Sequence, residues 1–304
     1  MASAQSAVIK VAYFNIQSGK GEPGLPGHPV LFSDNTNCID PSQPMNGWGV
    51  GFVQKELVAK LSDPSVIALG LEEAWSCGSP ENVRQALGWK ARTSEHNGVG
   101  LVARYGLAGP EFWQQLDTTK NSNPADTMWA LRVPVCLDAA CTQSMPVYVA
   151  HWYGSGTYGQ ISYDTQAQQT VAFIQSTTAA GEPHVFGGDL NVWEGSGVVC
   201  NQTPNNSSLT YLRNAGYMDG WKTVNGAAEG YTGMTNRTGC GYPEGYAWKR
   251  IDYVWSQPTF LPTAMERFGV SPAGDATASD HYGIIATFPY PGAVAPPPPP
   301  PPPP

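Results

Sequence analysis

Acids, amides and imidazoles recur along this chain at the ends of apolar runs. Asn15 follows V-I-K-V-A-Y-F, the pair Glu72-Glu73 follows V-I-A-L-G-L, and His151 follows V-Y-V-A. Asp189 and Asn191 close H-V-F-G-G-D-L-N, Asp252 lies in R-I-D-Y, and Asp280 and His281 form S-D-H. Carboxylate and amide oxygens suit a hard divalent cation, Mg2+ or Mn2+ in preference to Zn2+. Imidazoles beside them can carry protons near neutral pH. A cation that draws charge from phosphoryl oxygens, next to groups that manage the protons of water and of a leaving alkoxide, is the equipment for cleaving a phosphoester. A head group at a strand terminus is held by the sheet and faces an open cleft, which is where such chemistry belongs.

Short apolar elements must position these groups. Strand-like runs rich in β-branched and aromatic residues cover 8–14, 66–71, 99–103, 129–135, 146–150, 184–189, 251–255 and 282–288. Helical spacing joins Val50, Val53, Leu57 and Leu61, and also Ala167, Val171 and Ile174 within 164–177. Ser79-Pro80 reads as the cap and first residue of a helix that runs to Leu87 and stops at Gly88. Ser208 reads as the cap of a helix through Ala215, with Gly216 after it. Gly- and Pro-rich stretches at 18–49, 104–127, 152–163, 192–207 and 220–247 exceed simple connections and carry many of the aromatics.

With 304 residues, 41% hydrophobic and 13% charged, the chain can bury one large core, and a single α/β domain accounts for its length. A formal net charge of -8 argues against a broad basic surface that grips many phosphates, though not against a hydrolase whose cation supplies positive charge locally. Residues 1–7, M-A-S-A-Q-S-A, read as the remnant of a cleaved leader, 8–290 as the catalytic domain, and 291–304 as a polyproline spacer that leads to a further module. These ends and six cysteines point to a secreted protein whose signal peptide has been removed. No apolar run reaches the roughly 18 residues a membrane span needs. Cys136 and Cys141 bracket L-D-A-A between two strand-like runs, a spacing suited to a bridge across a hairpin.

In content and in order, the polar motifs resemble those of the endonuclease/exonuclease/phosphatase superfamily, over roughly residues 8–290. The resemblance implies a four-layer α/β/β/α sandwich with two stacked, mostly antiparallel mixed sheets. It also implies roles. The family's L-Q-E stands here as Leu71-Glu72-Glu73, which puts Glu73 in the metal position and Glu72 in place of Gln; strand alternation lets only one of them face the cleft. Asp280 would be the second metal carboxylate and Asn15 an amide ligand for Mg2+ or Mn2+. Asp189 would hold the attacking water and Asn191, two residues on and on the same side, would donate to a non-bridging oxygen. His281 would contact phosphate or water with Asp252 on its other nitrogen. His151 would protonate the leaving oxygen, oriented by Asn97 or else by Glu95. Deoxyribonuclease-like members also imply a Cys200–Cys240 bridge, which leaves Cys38 for Cys77.

The function expected from this set is a secreted, monomeric, Mg2+-dependent endonuclease that hydrolyses DNA, with RNA the next nucleic acid to consider. A phospholipid phosphodiesterase of the sphingomyelinase kind is the alternative enzyme, and it needs an apolar hairpin to enter the interface, for which Trp152–Tyr158 is the candidate. A non-catalytic binding module on a polyproline stalk is the alternative from another class. The complete set of acids and imidazoles favours an enzyme.

Overall fold

The computed structural model describes residues 8–16, 57–75, 78–119, 127–153, 159–195, 204, 206–228, 230–234, 247–269, 279 and 281–291. In the first sheet β1 (Val8–Asn15) and β2 (Val66–Glu72) run parallel at the centre. Outside β1 lie β14 (Gly283–Pro289) and then β13 (Ala264–Phe268); outside β2 lie β4 (Gly100–Ala103) and then β3 (Ala91–Arg92). The second sheet repeats this plan. Its parallel centre is β7 (Ser144–Ala150) with β8 (Val185–Asp189), flanked by β6 (Met128–Cys136) and β5 (Phe112–Leu116) on one side and by β12 (Asp252–Ser256) and β9 (Met218–Asp219) on the other. All other neighbours in both sheets are antiparallel.

Alternation along the central strands creates the layers. Val11 and Tyr13 of β1 meet Val147 and Val149 of β7 in the core between the sheets. Ala12 and Phe14 face the other way, onto Leu57 and Leu61 of a helical stretch at 57–61 and Val83 of the helix Pro80–Leu87. Tyr148 and Ala150 face Ala167, Val171 and Ile174 of the helix Gly159–Thr177 and Leu209 and Leu212 of the helix Asn206–Asn214. The result is the four-layer sandwich. Tyr13 pins its middle: a Cβ on either Gly70 or Gly187 would fall 2.6 Å from its ring, and its hydroxyl donates to the Tyr148 carbonyl at 3.1 Å.

The helix Pro80–Leu87 is capped as its sequence dictates, with Ser79 accepting from Asn82 N and Gly88 left-handed at the end. Ser208 is not a cap. It lies inside its helix, fully buried, and donates to Asp164 Oδ1 at 2.7 Å, tying the two outer helices together. The long helix begins at Gly159, five residues before the periodicity starts, and within the stretch read as loop lie the helix Gly220–Asn225 and the ribbon of β10 (Gly233–Met234) with β11 (Ala247–Lys249). Cys136 and Cys141 form a disulfide, and Asp138 accepts from Ala140 N and Thr142 Oγ1 inside that hairpin. Cys38, Cys77, Cys200 and Cys240 lie outside the described residues. Among the described residues no helix is long and apolar enough to cross a membrane.

Candidate active site

Both sheets deliver polar groups to one end of the sandwich. Asn15 and Glu72 are register partners at the ends of β1 and β2, and Asp189 and Asp252 are partners between β8 and β12. His151 follows the last residue of β7, and His281 precedes β14. Asn15, Glu72, Asp189, Asp252, His151 and His281 are all buried.

Asp189 is the hub. Its Oδ2 accepts from Asn15 Nδ2 at 3.0 Å and Asn191 Nδ2 at 3.1 Å, and lies 3.5 Å from His151 Nε2 and 3.6 Å from His281 Nε2. Its Oδ1 accepts the backbone N–H of Asn191 at 2.9 Å. The Asn191 amide also reaches His151 Nε2 at 3.2 Å and the Trp152 carbonyl at 2.9 Å. His281 Nδ1 is 2.9 Å from Asp252 Oδ2, so its two nitrogens face two carboxylates. Burial pushes the Asp189 carboxyl above its ordinary range, the His281 imidazole opposes this, and the charge on Asp252 adds to it. A carboxylate made more basic in this way is better matched to taking a proton from water.

Several residues reach the site by routes that alternation did not foresee. Strand β8 ends at Asp189, and Asn191 comes to the same side because its backbone is left-handed, φ 53°. Glu73 likewise lies past the end of β2 with φ 49°, so alternation does not choose between the two glutamates. Glu72 points between the sheets, and Glu73 is close enough for its charge to act on it. No hydrogen bond joins Asn97 to His151 among the described residues, and the Asn97 amide donates to the Thr127 carbonyl. Glu95 accepts from Gly98 N and closes its own turn. His151 Nδ1 is buried with no hydrogen-bond partner among the described residues. Asp280 lies outside them.

Other side chains support the cleft. Gly188, φ 131°, lets β8 pass beneath the end of β7, because a Cβ there would sit 2.2 Å from the Ala150 carbonyl oxygen and 2.7 Å from Glu72 Oε1. Gln166, on the Gln-rich helix, holds the loop after His151 by donating to Tyr153 O at 2.8 Å and accepting from Tyr153 N at 2.9 Å. Nothing in the helical periodicity marks Gln166, since its work is done by the side-chain amide. Trp152 is fully buried and donates to Thr170 Oγ1, so it is not available to enter a lipid interface; residues 154–158 lie outside the described residues. Arg250 is structural: it makes a bidentate pair with Asp219, at 2.7 and 2.5 Å, and stacks on the Tyr253 ring.

The charge balance bears on a cation. Three buried carboxylates, Glu72, Asp189 and Asp252, face two imidazoles, and both oxygens of Glu72 are buried without a hydrogen-bond partner among the described residues. Burial, then the charges of Asp252 and Asp189, push the Glu72 carboxyl well up. Buried carboxylates without compensation are costly, and a divalent cation relieves the cost. Ligand atoms of Asp189, Asp252 and His281 lie within 4.8 Å of one another. The donor set, rich in oxygen, therefore fits a divalent cation.

The sequence matches the model of the Endonuclease/Exonuclease/phosphatase family over residues 14–281, and the chain belongs to that family. Solved structures share the fold. An endonuclease/exonuclease/phosphatase from Beutenbergia cavernae superposes with a TM-score of 0.62 at 19% identity, covering 93% of this chain and 72% of that one. TDP2 from D. rerio, complexed with single strand DNA product, gives 0.59 at 14% identity over 93% and 99%. A mannosyl-6-phosphatase from Bacteroides thetaiotaomicron gives 0.58 at 14% identity over 93% and 100%. No curated protein matches the sequence at a significant level. Members of the family are hydrolases that act on phosphoester bonds, and the acid and imidazole cluster is this chain's candidate site.

Proposed function

We propose that this protein is a secreted, Mg2+-dependent phosphodiesterase that acts as an endonuclease on DNA. The observation that carries the reading is the set of groups around Asp189 Oδ2, two amides at 3.0 and 3.1 Å and two imidazoles at 3.5 and 3.6 Å. A phosphodiester presents an electrophilic phosphorus, a charged oxygen and a poor leaving alkoxide, and this set has a group for each. Asp189 accepts the proton of the attacking water. Asn191 donates to a non-bridging oxygen as charge grows there. His281, held through Nδ1 by Asp252, turns Nε2 toward the phosphate. His151 gives its proton to the leaving oxygen, a step a diester requires more than a monoester with a good leaving group does. Glu73, Asn15 and Asp280 are the residues that the family resemblance implies would hold a Mg2+ ion, with Glu72 beside Asn15 and Glu73, and such an ion would supply charge withdrawal from the phosphoryl oxygens.

The Cys136–Cys141 disulfide supports an oxidising compartment. Burial of Trp152 weighs against the phospholipase reading. The net charge of -8 favours transient engagement of nucleic acid over tight non-specific binding. The test is incubation with plasmid DNA, structured RNA, sphingomyelin vesicles and a soluble sugar phosphate, each with Mg2+ or chelator. Nicking of the plasmid in Mg2+ alone is expected. Turnover of sphingomyelin or the sugar phosphate without DNA cleavage would overturn the assignment.

A further inference from the structure

The two members of the Asp252–His281 pair belong to different sheets, so their 2.9 Å contact depends on how far apart the sheets stand at the cleft. A short strap sets that gap. Thr232 is fully buried, and its Oγ1 accepts two backbone N–H groups, from Ile251 at 3.1 Å and Asp252 at 3.0 Å. Its own N–H donates to the Lys249 carbonyl at 2.8 Å. On the other side the Thr232 carbonyl accepts from Tyr282 N at 2.8 Å, and Gly233 bridges to His281 in antiparallel fashion. One residue is thus hydrogen-bonded to the backbone of Asp252 in the second sheet and to the backbone beside His281 in the first.

The local sequence suits this role. Strand β9 pairs with β12 only at Trp255 and Ser256, so among the described residues the front of β12 has no strand on the side away from β8, and the Thr232 hydroxyl oxygen takes the N–H groups there. Gly230 and Gly233 let the strap lie flat: a Cβ would fall 2.2 Å from the Trp221 ring at the first and 2.7 Å from Ile251 at the second. Arg267 donates to the Tyr231 carbonyl and holds the strap from outside. The Ile251 carbonyl in turn accepts from Leu190 N at 2.9 Å, which links the strap to the turn between Asp189 and Asn191.

We propose that Thr232 is a positioning residue, acting through Asp252 and His281 to fix the distance and orientation at which they meet. It touches no reacting atom. Removing its hydroxyl frees the front of β12 to shift, and a displacement of about 1 Å at a reacting group can cost on the order of a hundredfold in rate.

The test compares Thr232→Val, Thr232→Cys and Thr232→Ser in the full chain, with kcat and KM on a diester substrate and the NMR resonance of the His281 Nδ1 proton. Thr232→Ser should behave as the parent. Thr232→Val should lower kcat by roughly 10- to 100-fold with little change in KM, and should move the His281 resonance toward the position of an unpaired ring. Thr232→Cys, whose sulfur accepts poorly, carries the same comparison if the valine variant does not fold. In an Asp252→Asn background the valine change should cost no further activity. Full additivity there, or an unmoved resonance in a folded valine variant, overturns the proposal. The kinetic part rests on the hydrolytic reading of the cleft, whereas the resonance does not. A parent enzyme without phosphodiesterase activity, but with a His281 resonance that responds to Thr232, would refute the function and keep the strap.

Discussion

Asn15 and Asp189, 174 residues apart and in different sheets, are joined by a hydrogen bond of 3.0 Å from the amide to the carboxylate. The contact ties the two sheets together at the end that carries the candidate site, and it holds Oδ2 of Asp189. Asp189→Asn keeps the shape and removes the base. It should lower kcat by at least about a hundredfold while the thermal midpoint stays level or rises, since a buried charge has gone. Steady-state kinetics with a parallel melting curve checks both halves, and near-parental turnover would remove Asp189 from the mechanism.

Glu72 gives a pH prediction with a definite sign. Its carboxyl is raised in the folded protein above the ordinary value of 4.5. A raised acid contributes stability that is complete below the unfolded value and is lost as pH rises through the folded one. In chelator the melting temperature should therefore fall as pH rises above the ordinary carboxylate range, and Glu72→Gln should flatten that fall. Parallel curves for parent and variant would show that Glu72 is not the group responsible.

Glu73 is half-buried, as suits a ligand open to an arriving ion. Glu73→Gln should raise the Mg2+ concentration for half-maximal activity about tenfold or more, with a smaller change for Glu72→Gln. The opposite ranking in a Mg2+ titration would move the cation to the buried residue.

If His151 protonates the leaving oxygen, His151→Ala should cost most on a substrate with an alkoxide leaving group and much less on an aryl phosphodiester. Equal losses would mean that the imidazole binds phosphate instead.

Arg250 and Asp219 form a buried bidentate pair that makes no contact with Asp189, His151 or His281 among the hydrogen bonds and ion pairs of the described residues. Arg250→Met should destabilise the fold by about 3–5 kcal/mol by stranding the Asp219 charge, which denaturant titration reads directly. The remaining folded protein should keep its KM.

What could be read from the sequence divides by position in the sheets. The eight central strands are covered on both faces and read as apolar runs, and all eight stand where those runs are. The four edge strands, β3, β5, β9 and β13, were not legible. Phe112–Leu116 buries only Leu116 and Ala264–Phe268 buries only Met265 and Phe268, neither contains a β-branched side chain, and the other two are only two residues long. In the site, the acids and imidazoles were legible because their types are specific to the chemistry. The left-handed backbone of Glu73 and Asn191, the partner of Asn97 and the two-sided bonding of Thr232 were not, because each depends on segments distant in sequence that meet only in the folded sheets.

Strand β1 takes one neighbour from residues 66–72 and the other from 283–289. During synthesis the earliest strand therefore keeps one flank unpaired until almost the whole domain has left the ribosome, and only then does the first sheet acquire its full width. Loss of the segment after residue 263 does not trim a border of the molecule. It takes away β13 and β14, uncovers the middle of the sheet, and removes His281 from the cleft in the same stroke.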